Sequence, residues 1–332
     1  MMQSILVPLD GSHFSEHALP IALGLARAYR ACLHLAHVHR GVIPGLQMEV
    51  ARRYSSEWDE EARARERSYL EEIAVRSREE CGITVRATLL EGAVFHALLD
   101  YATGAGIDFI VMTTHGRGGL SRAWLGSVAD EVVRQAGVPV LLLRPEARGA
   151  APAFVPRLPF QHVLVPLDGS ELAEQVLVRA AAIARLTGAR LTLLRVYSMM
   201  PGIGGDLSGV GFSLAYIDAT RAEAETYLAG VAERLRRQGL SVEQVLVRDA
   251  RPAVAILDCA ERNAVDLITM ATHGRSAWLR FALGSVADKV VRGSHIPVLV
   301  LRPAPVPERE SAPDAARSGV NVPEPGPGAT VP

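Results

Sequence analysis

Val7-Pro-Leu-Asp-Gly-Ser12 is written twice in this chain: the same six residues stand at Val165-Pro-Leu-Asp-Gly-Ser170, a shift of 158 positions (165 − 7 = 158). Other blocks share that shift. Asp108-Phe-Ile-Val-Met-Thr-Thr-His-Gly-Arg117 matches Asp266-Leu-Ile-Thr-Met-Ala-Thr-His-Gly-Arg275, and Leu125-Gly-Ser-Val-Ala-Asp130 matches Leu283-Gly-Ser-Val-Ala-Asp288. Three blocks at one spacing mark a duplication, and a period of 158 is domain-sized, too long for a solenoid repeat. The chain therefore divides into a first domain over 1–145, a linker over 146–159 rich in Pro, Ala and Gly, and a second domain over 160–303. The remainder, 304–332, is dense in Pro, Gly, Ala and charge with almost no large apolar residue, and reads as a disordered tail.

Composition supports two packed domains. The 332 residues are 49% apolar, enough for a core in each half. Lys plus Arg number 35 against 36 Asp plus Glu, so no net field steers the chain onto nucleic acid or an anionic membrane. A small molecule or a protein is the expected partner. Cys32, Cys81 and Cys259 are odd in number and far apart, which fits neither a disulfide framework nor a zinc site. With no signal segment at Met1–Leu6 and no long uncharged apolar run, a cytoplasmic location is expected.

Within each half, β-branched runs alternate with segments of helical period. Strands are expected at Ser4–Leu9, Cys32–His39, Thr84–Leu90, Phe109–Thr113 and Val138–Leu143, and again near Val163, Leu191, Val242, Leu267 and Val298. Helices are expected over Ser15–Tyr29, Glu57–Glu80, Ala93–Thr103 and Ser127–Gln135. Such alternation predicts an α/β fold, with a five-stranded parallel open sheet in each domain and helices on both faces. With right-handed crossovers and the order 3-2-1-4-5, a ligand crevice opens beyond the carboxyl ends of strands one and four. The repeated polar and Gly-rich segments follow those two strands: Asp10-Gly-Ser12, and Thr114-His-Gly-Arg-Gly-Gly119.

Gly116 and Gly126 let backbone N–H groups approach an anion, and Ser127 opens a helix whose amino end favours negative charge. This is phosphate chemistry without a Walker lysine. The plainer alternative reads Ser127-Val-Ala-Asp130 and Ser285-Val-Ala-Asp288 as capping boxes and the glycines as turn residues. Their joint recurrence at the switch point of both halves favours the anion site. For Asp10 the alternative is an Asx turn at a strand end.

Both halves resemble universal stress protein domains, over nearly all of Met1–Pro303. The ATP-binding members of that family carry Gly, two residues, Gly, nine residues, then Gly followed by Ser or Thr. Gly116 with Gly126-Ser127, and Gly274 with Gly284-Ser285, fit the later part; Thr113 and Ala271 replace the leading glycine. The resemblance implies a Rossmann-like fold similar to the adenine nucleotide alpha hydrolases. It further implies that Asp10 and Asp168 meet the ribose or adenine side, and that Val38 and Val196 present backbone groups to adenine. Gly116, Gly126, Ser127 and Val128 would line the phosphates in the first half, and Gly274, Gly284, Ser285 and Val286 in the second. Arg117 and Arg275 are candidates for neutralising phosphate, or solvated loop residues.

Other signals carry less. His13-Phe-Ser-Glu-His17 has the His-x-x-Glu-His spacing of one class of zinc peptidase, but its counterpart Glu171–Gln175 holds no histidine. Gly202 and Gly204 begin a dinucleotide fingerprint whose third glycine falls on Leu207. The loops Arg40–Ser56 and Met199–Gly211 are better read as lids over the crevices. His115, His273, Trp124 and Trp278 are expected to pack within their loops.

The fifth strands, Val138–Leu143 and Ile296–Leu301, would be apolar sheet edges, and pairing them makes an internal pseudo-dimer. A homodimer of the whole chain is compatible with the sequence but not written in it. The function implied is a stress-response or signalling regulator that binds ATP, with or without magnesium, at one or both crevices. No activating lysine, metal cage or positioned base is visible, so no catalytic residue is assigned and any ATP hydrolysis is expected to be slow. An interaction protein of the same fold without nucleotide is the rival reading, and a hydrolase or nucleotidyl transferase the third.

Overall fold

The computed structural model describes residues 2–41, 49–114, 125–144, 154–198, 214–273 and 283–304, with only the backbone course for 49–56 and 214–217. Its elements run β1 (Ser4–Pro8), α1 (His13–Glu16), α2 (Leu19–Tyr29), β2 (Cys32–His39), α3 (Glu49–Cys81), β3 (Val85–Glu91), α4 (Val94–Gly104), β4 (Phe109–Thr113), α5 (Ser127–Gln135) and β5 (Val140–Leu143). The second half repeats them as β6 (His162–Pro166), α6 (Glu171–Glu174), α7 (Leu177–Thr187), β7 (Arg190–Tyr197), α8 (Leu214–Arg236), β8 (Val242–Arg248), α9 (Pro252–Arg262), β9 (Leu267–Ala271), α10 (Ser285–Gly293) and β10 (Val298–Leu301). The tail residues 305–332, the loop glycines Gly202 and Gly204, and the linker residues 145–153 lie outside the described residues.

One ten-stranded sheet unites the halves in the order β3-β2-β1-β4-β5-β10-β9-β6-β7-β8. Every pair within a half is parallel, and β5 with β10 is antiparallel. Each half thus has the order 3-2-1-4-5, and its fifth strand meets the other at the centre. Strand side chains alternate between the faces. Ile5 and Val7 enter one apolar layer with α2, α3, α7 and α8, while Leu6 enters the other with α4, α5, α9 and α10. Burial on both faces is why these strands read as unbroken apolar runs.

The repeated aspartates that open the fourth-strand blocks have a structural task. Asp108 Oδ2 accepts the N–H groups of Gln3 (2.7 Å) and Ser4 (3.1 Å), and Asp266 Oδ2 accepts those of Gln161 (2.7 Å) and His162 (3.1 Å). Each aspartate satisfies backbone donors at the amino end of the first strand, opposite the crevice. Phe154 is buried with its ring 4.1 Å from the Arg76 guanidinium, and the Arg157 N–H donates to the Pro20 carbonyl at 2.8 Å. The segment entering the second half is thereby held against α2 and α3.

Two expectations need correction. The helix expected over Ser15–Tyr29 is two helices, α1 and α2. Pro20 suits the break, since its ring would clash with the Glu16 carbonyl of a continuous helix. The same break recurs between α6 and α7 where Val178 stands, so proline is not required for it. The lid expected over Arg40–Ser56 is helical from Glu49, because Glu49–Ser56 holds neither Gly nor Pro and simply extends α3. Among the described residues, no helix is long and apolar enough to cross a membrane.

Candidate functional site

The winding reverses between β1 and β4, and among the described residues Asp10 follows β1 while Gly126 and Ser127 stand between β4 and β5. Asp10 follows β1 at an Asx turn: its Oδ1 accepts the Ser12 N–H (3.0 Å) and hydroxyl (2.5 Å). Asp168 does the same with Ser170, at 3.0 and 2.6 Å. The turn needs glycine next to the aspartate, since φ is +78° at Gly11 and +84° at Gly169. The turn reading of Asp10 is realised, and the turn holds the aspartate at the crevice mouth.

Val38 lies one residue from the end of β2. The Leu9 N–H donates to the Ala36 carbonyl at 2.8 Å, while the Leu33 N–H donates to Thr84 on the β3 side. Even-numbered residues of β2 thus turn their backbone groups toward β1, and alternation aims the N–H and C=O of Val38 past the end of β1. Val196 is placed alike, because Leu167 donates to the Leu194 carbonyl at 2.8 Å and Leu191 to Ser241. Both valine side chains pack on the α4 and α9 face.

Gly126 and Gly284 form the hinge between fourth strand and helix. Neither capping box forms: Ser127 and Ser285 are the first helical residues, Gly126 and Gly284 occupy the cap without a side-chain bond, and Asp130 and Asp288 bond arginines instead. The N–H groups of the two glycines have backbone partners of their own. Gly126 donates to the Thr114 carbonyl at 2.8 Å and Gly284 to Thr272 at 2.9 Å. Glycine is needed for that approach and not for its dihedrals: φ is −56° at Gly284, and a Cβ there would lie 2.5 Å from the Thr272 oxygen. The free amino-end N–H groups of the two helices are those of Ser127, Val128 and Ala129, and of Ser285, Val286 and Ala287. These precede the first intrahelical bonds, given by Asp130 to Gly126 and by Asp288 to Gly284.

Thr113 and Ala271 are buried strand residues, in register with Leu143 and Leu301. Positive φ outside glycine occurs, among the described residues, at Arg30 and Ala264 alone, so these two positions demand no left-handed backbone. Gly116, Gly274, His115, Arg117, Arg275, Trp124 and Trp278 lie outside the described residues. His273 is described: its Nδ1 lies 3.0 Å from the Thr272 hydroxyl, and its buried Nε2 has no partner among the described residues. His13 is largely exposed and sits 3.3 Å from Glu16. Among the described residues no group of three His, Cys, Asp or Glu side chains is spaced to hold a metal ion.

The sequence reading missed one cluster beside the first crevice. His39 is buried at the end of β2, with Nδ1 2.7 Å from Glu66 Oε2 and Nε2 2.9 Å from Asp59 Oδ1. Burial opposes a charge on this ring, yet the bonds and charges of Glu66 and Asp59 outweigh it and hold the His39 pKa above the ordinary histidine value. The His39 contact, aided by Arg63, holds the Asp59 carboxyl below the usual range. His-x-His on a strand facing a charged helix was the signal available in the sequence.

The profile of the universal stress protein family matches residues 1–144 and 159–302. Universal stress protein Rv2005c of Mycobacterium tuberculosis is 32% identical over 195 residues, 59% of this chain and 62% of its own length, so less than two thirds of that relative is spanned. Universal stress protein Rv1996 of the same organism is 30% identical over 320 residues, covering 90% of this chain and 94% of its own. The crystal structure of a universal stress protein from Archaeoglobus fulgidus superposes with a TM-score of 0.64 at 22% identity, over 90% of this chain and 98% of that one, a likeness of fold. With both halves matched, the chain belongs to the universal stress protein family as a tandem two-domain member.

Proposed function

We propose that the chain is a stress-response regulator that binds an adenine nucleotide, ATP in the first place, at one or both switch-point crevices. The observation that carries the reading is the uncapped amino end of α5 and of α10, set by a glycine against the Thr114 or Thr272 carbonyl beside the end of the first strand. Three backbone donors and the positive end of the helix dipole meet there, which suits a phosphate. Val38 and Val196 offer an N–H and a C=O across the crevice, a donor–acceptor pair that suits a base edge. Asp10 and Asp168 stand between, near a ribose.

A nucleotide held there would act by favouring one conformation or partner contact. The purified protein, denatured, should release adenine nucleotide, and the emptied protein should bind ATP by calorimetry. Absence of both would overturn the reading in favour of an interaction protein without nucleotide. Rapid ATP hydrolysis would replace it with an enzyme.

A further inference from the structure

We propose that His39 is a positioning residue of the first crevice: its imidazolium is a proton-operated clamp between β2 and α3, and the second half has no counterpart. The clamp stands on its own geometry; its effect on a crevice ligand rests on the nucleotide reading above.

Asp59 and Glu66 are seven residues apart on α3 and so share one face of the helix. They hold His39 from both ring nitrogens, at 2.9 and 2.7 Å. Carboxylates only accept, so both bonds exist together only when both nitrogens carry protons. The surroundings are charged from every side. On β2, His37 Nε2 lies 3.4 Å from Glu66 Oε1, and its ring meets Tyr69 edge-on at 6.4 Å. On α3, Arg63 donates to Asp59 at 3.0 Å and also pairs with Glu91 of β3. From α1, Glu16 accepts the Tyr69 hydroxyl at 3.0 Å. Around His39, three carboxylates, Asp59, Glu66 and Glu91, thus face one guanidinium and the imidazolium. Loss of the ring proton removes one donor and sets a lone pair against a carboxylate oxygen.

The strand carries the consequence to the crevice. His37 and His39 face α3, while Val38 between them aims its backbone past the end of β1. What fixes His39 therefore fixes the peptide groups proposed to meet the base. In the second half the cluster is gone as a unit: at the same 158-residue shift, Arg195 replaces His37, Tyr197 replaces His39, Ala224 replaces Glu66 and Ile217 replaces Asp59. Arg195 lies over the Tyr227 ring at 5.6 Å instead.

The sign follows from the raised His39 and lowered Asp59 values. The His39 contribution is whole below the ordinary histidine pKa of about 6.5 and is lost as pH rises through the raised folded value. The Asp59 contribution is lost only as pH falls through its lowered value. The clamp therefore opens on the alkaline side.

Hydrogen exchange of the full chain, followed by mass spectrometry between about pH 6 and about pH 9 and corrected for intrinsic rates, tests it. Protection over 57–70 of α3 should fall on the alkaline side, by about tenfold for each unit by which the His39 pKa is raised, while 218–228 of α8 stays level. His39→Gln should abolish the step, and Glu66→Gln should move it to lower pH, which a merely structural contact would not do. Equal pH dependence of α3 and α8, or an unmoved step in Glu66→Gln, overturns the clamp. ATP titrated across the same range should lose affinity at one site only. Equal loss at both sites overturns the positioning role. No ATP binding at any pH overturns both that role and the nucleotide reading, and leaves the exchange step to decide the clamp.

Discussion

Leu141 and Leu299 stand directly opposite each other across the antiparallel β5–β10 pair, and they occupy the same position of the repeat. An antiparallel pair that sets a residue against its own equivalent has a two-fold axis through that point, as an isologous dimer interface does. The neighbours obey it: Val140 faces Val300, the equivalent of Leu142, and Leu142 faces Val298, the equivalent of Val140. The fusion has put a dimer's symmetry inside one chain.

Both leucines are fully buried, so a charge at either is desolvated without a partner. Leu141→Asp with Leu299→Asp should destabilise the chain by roughly 3 kcal/mol or more and increase its radius in X-ray scattering. Unchanged urea midpoint and unchanged radius would contradict the central pairing.

Charged contacts flank the same axis. Arg292 donates to Asp130 at 2.9 Å across it, and Arg134 approaches Asp288 at 3.6 Å. These side chains are about a quarter to a third exposed, which screens them. A double-mutant cycle on Asp130→Asn and Arg292→Gln should give a coupling of only about 0.2–1 kcal/mol. A coupling of several kcal/mol would make charge, and not the apolar strand pair, the main bond between the halves.

Gly24 reverses the usual rule for helix glycines. An alanine in mid-helix ordinarily stabilises by about 1 kcal/mol. At Gly24 a Cβ would lie 2.4 Å from the Arg157 carbonyl oxygen, so Gly24→Ala should instead lower the urea midpoint and expose 154–160 to protease. A raised midpoint would show that this segment is not seated on α2.

Substituting Gly284 cannot test phosphate binding cleanly, because its Cβ would strike the Thr272 carbonyl. Ser127→Pro and Ser285→Pro are better. Proline is tolerated at the first helical position, and Gly126 and Gly284, at φ −60° and −56° with ψ 148° and 144°, already have the extended backbone that precedes proline. Each change deletes one N–H. Circular dichroism should be preserved while ATP affinity falls about tenfold or more, the worth of a hydrogen bond to a charged group. Unchanged affinity would move the phosphates away from these helix ends.

The sequence by itself determined the duplication, the order of strands and helices in each half, and the crevice position. Repetition, apolar period and the handedness of crossovers are properties of the chain read along its length. It also named Asp10 and Ser127 and their equivalents, because turn and helix-start chemistry is local, whereas Val38 and Val196 came only with the family resemblance. The tertiary structure decided what depends on which backbone comes near. The glycine before α10 proved to lie against a threonine carbonyl, and Asp130 to bond an arginine across the axis and not to close a capping box. Asp108 and Asp266 proved to bind the amino ends of the neighbouring first strands. The His39 cluster joins residues 20 and 27 positions apart on two elements, a distance at which no periodicity points one to the other. Such contacts exist only once the sheet has set its register, and the two repeats, so alike along the chain, differ most there.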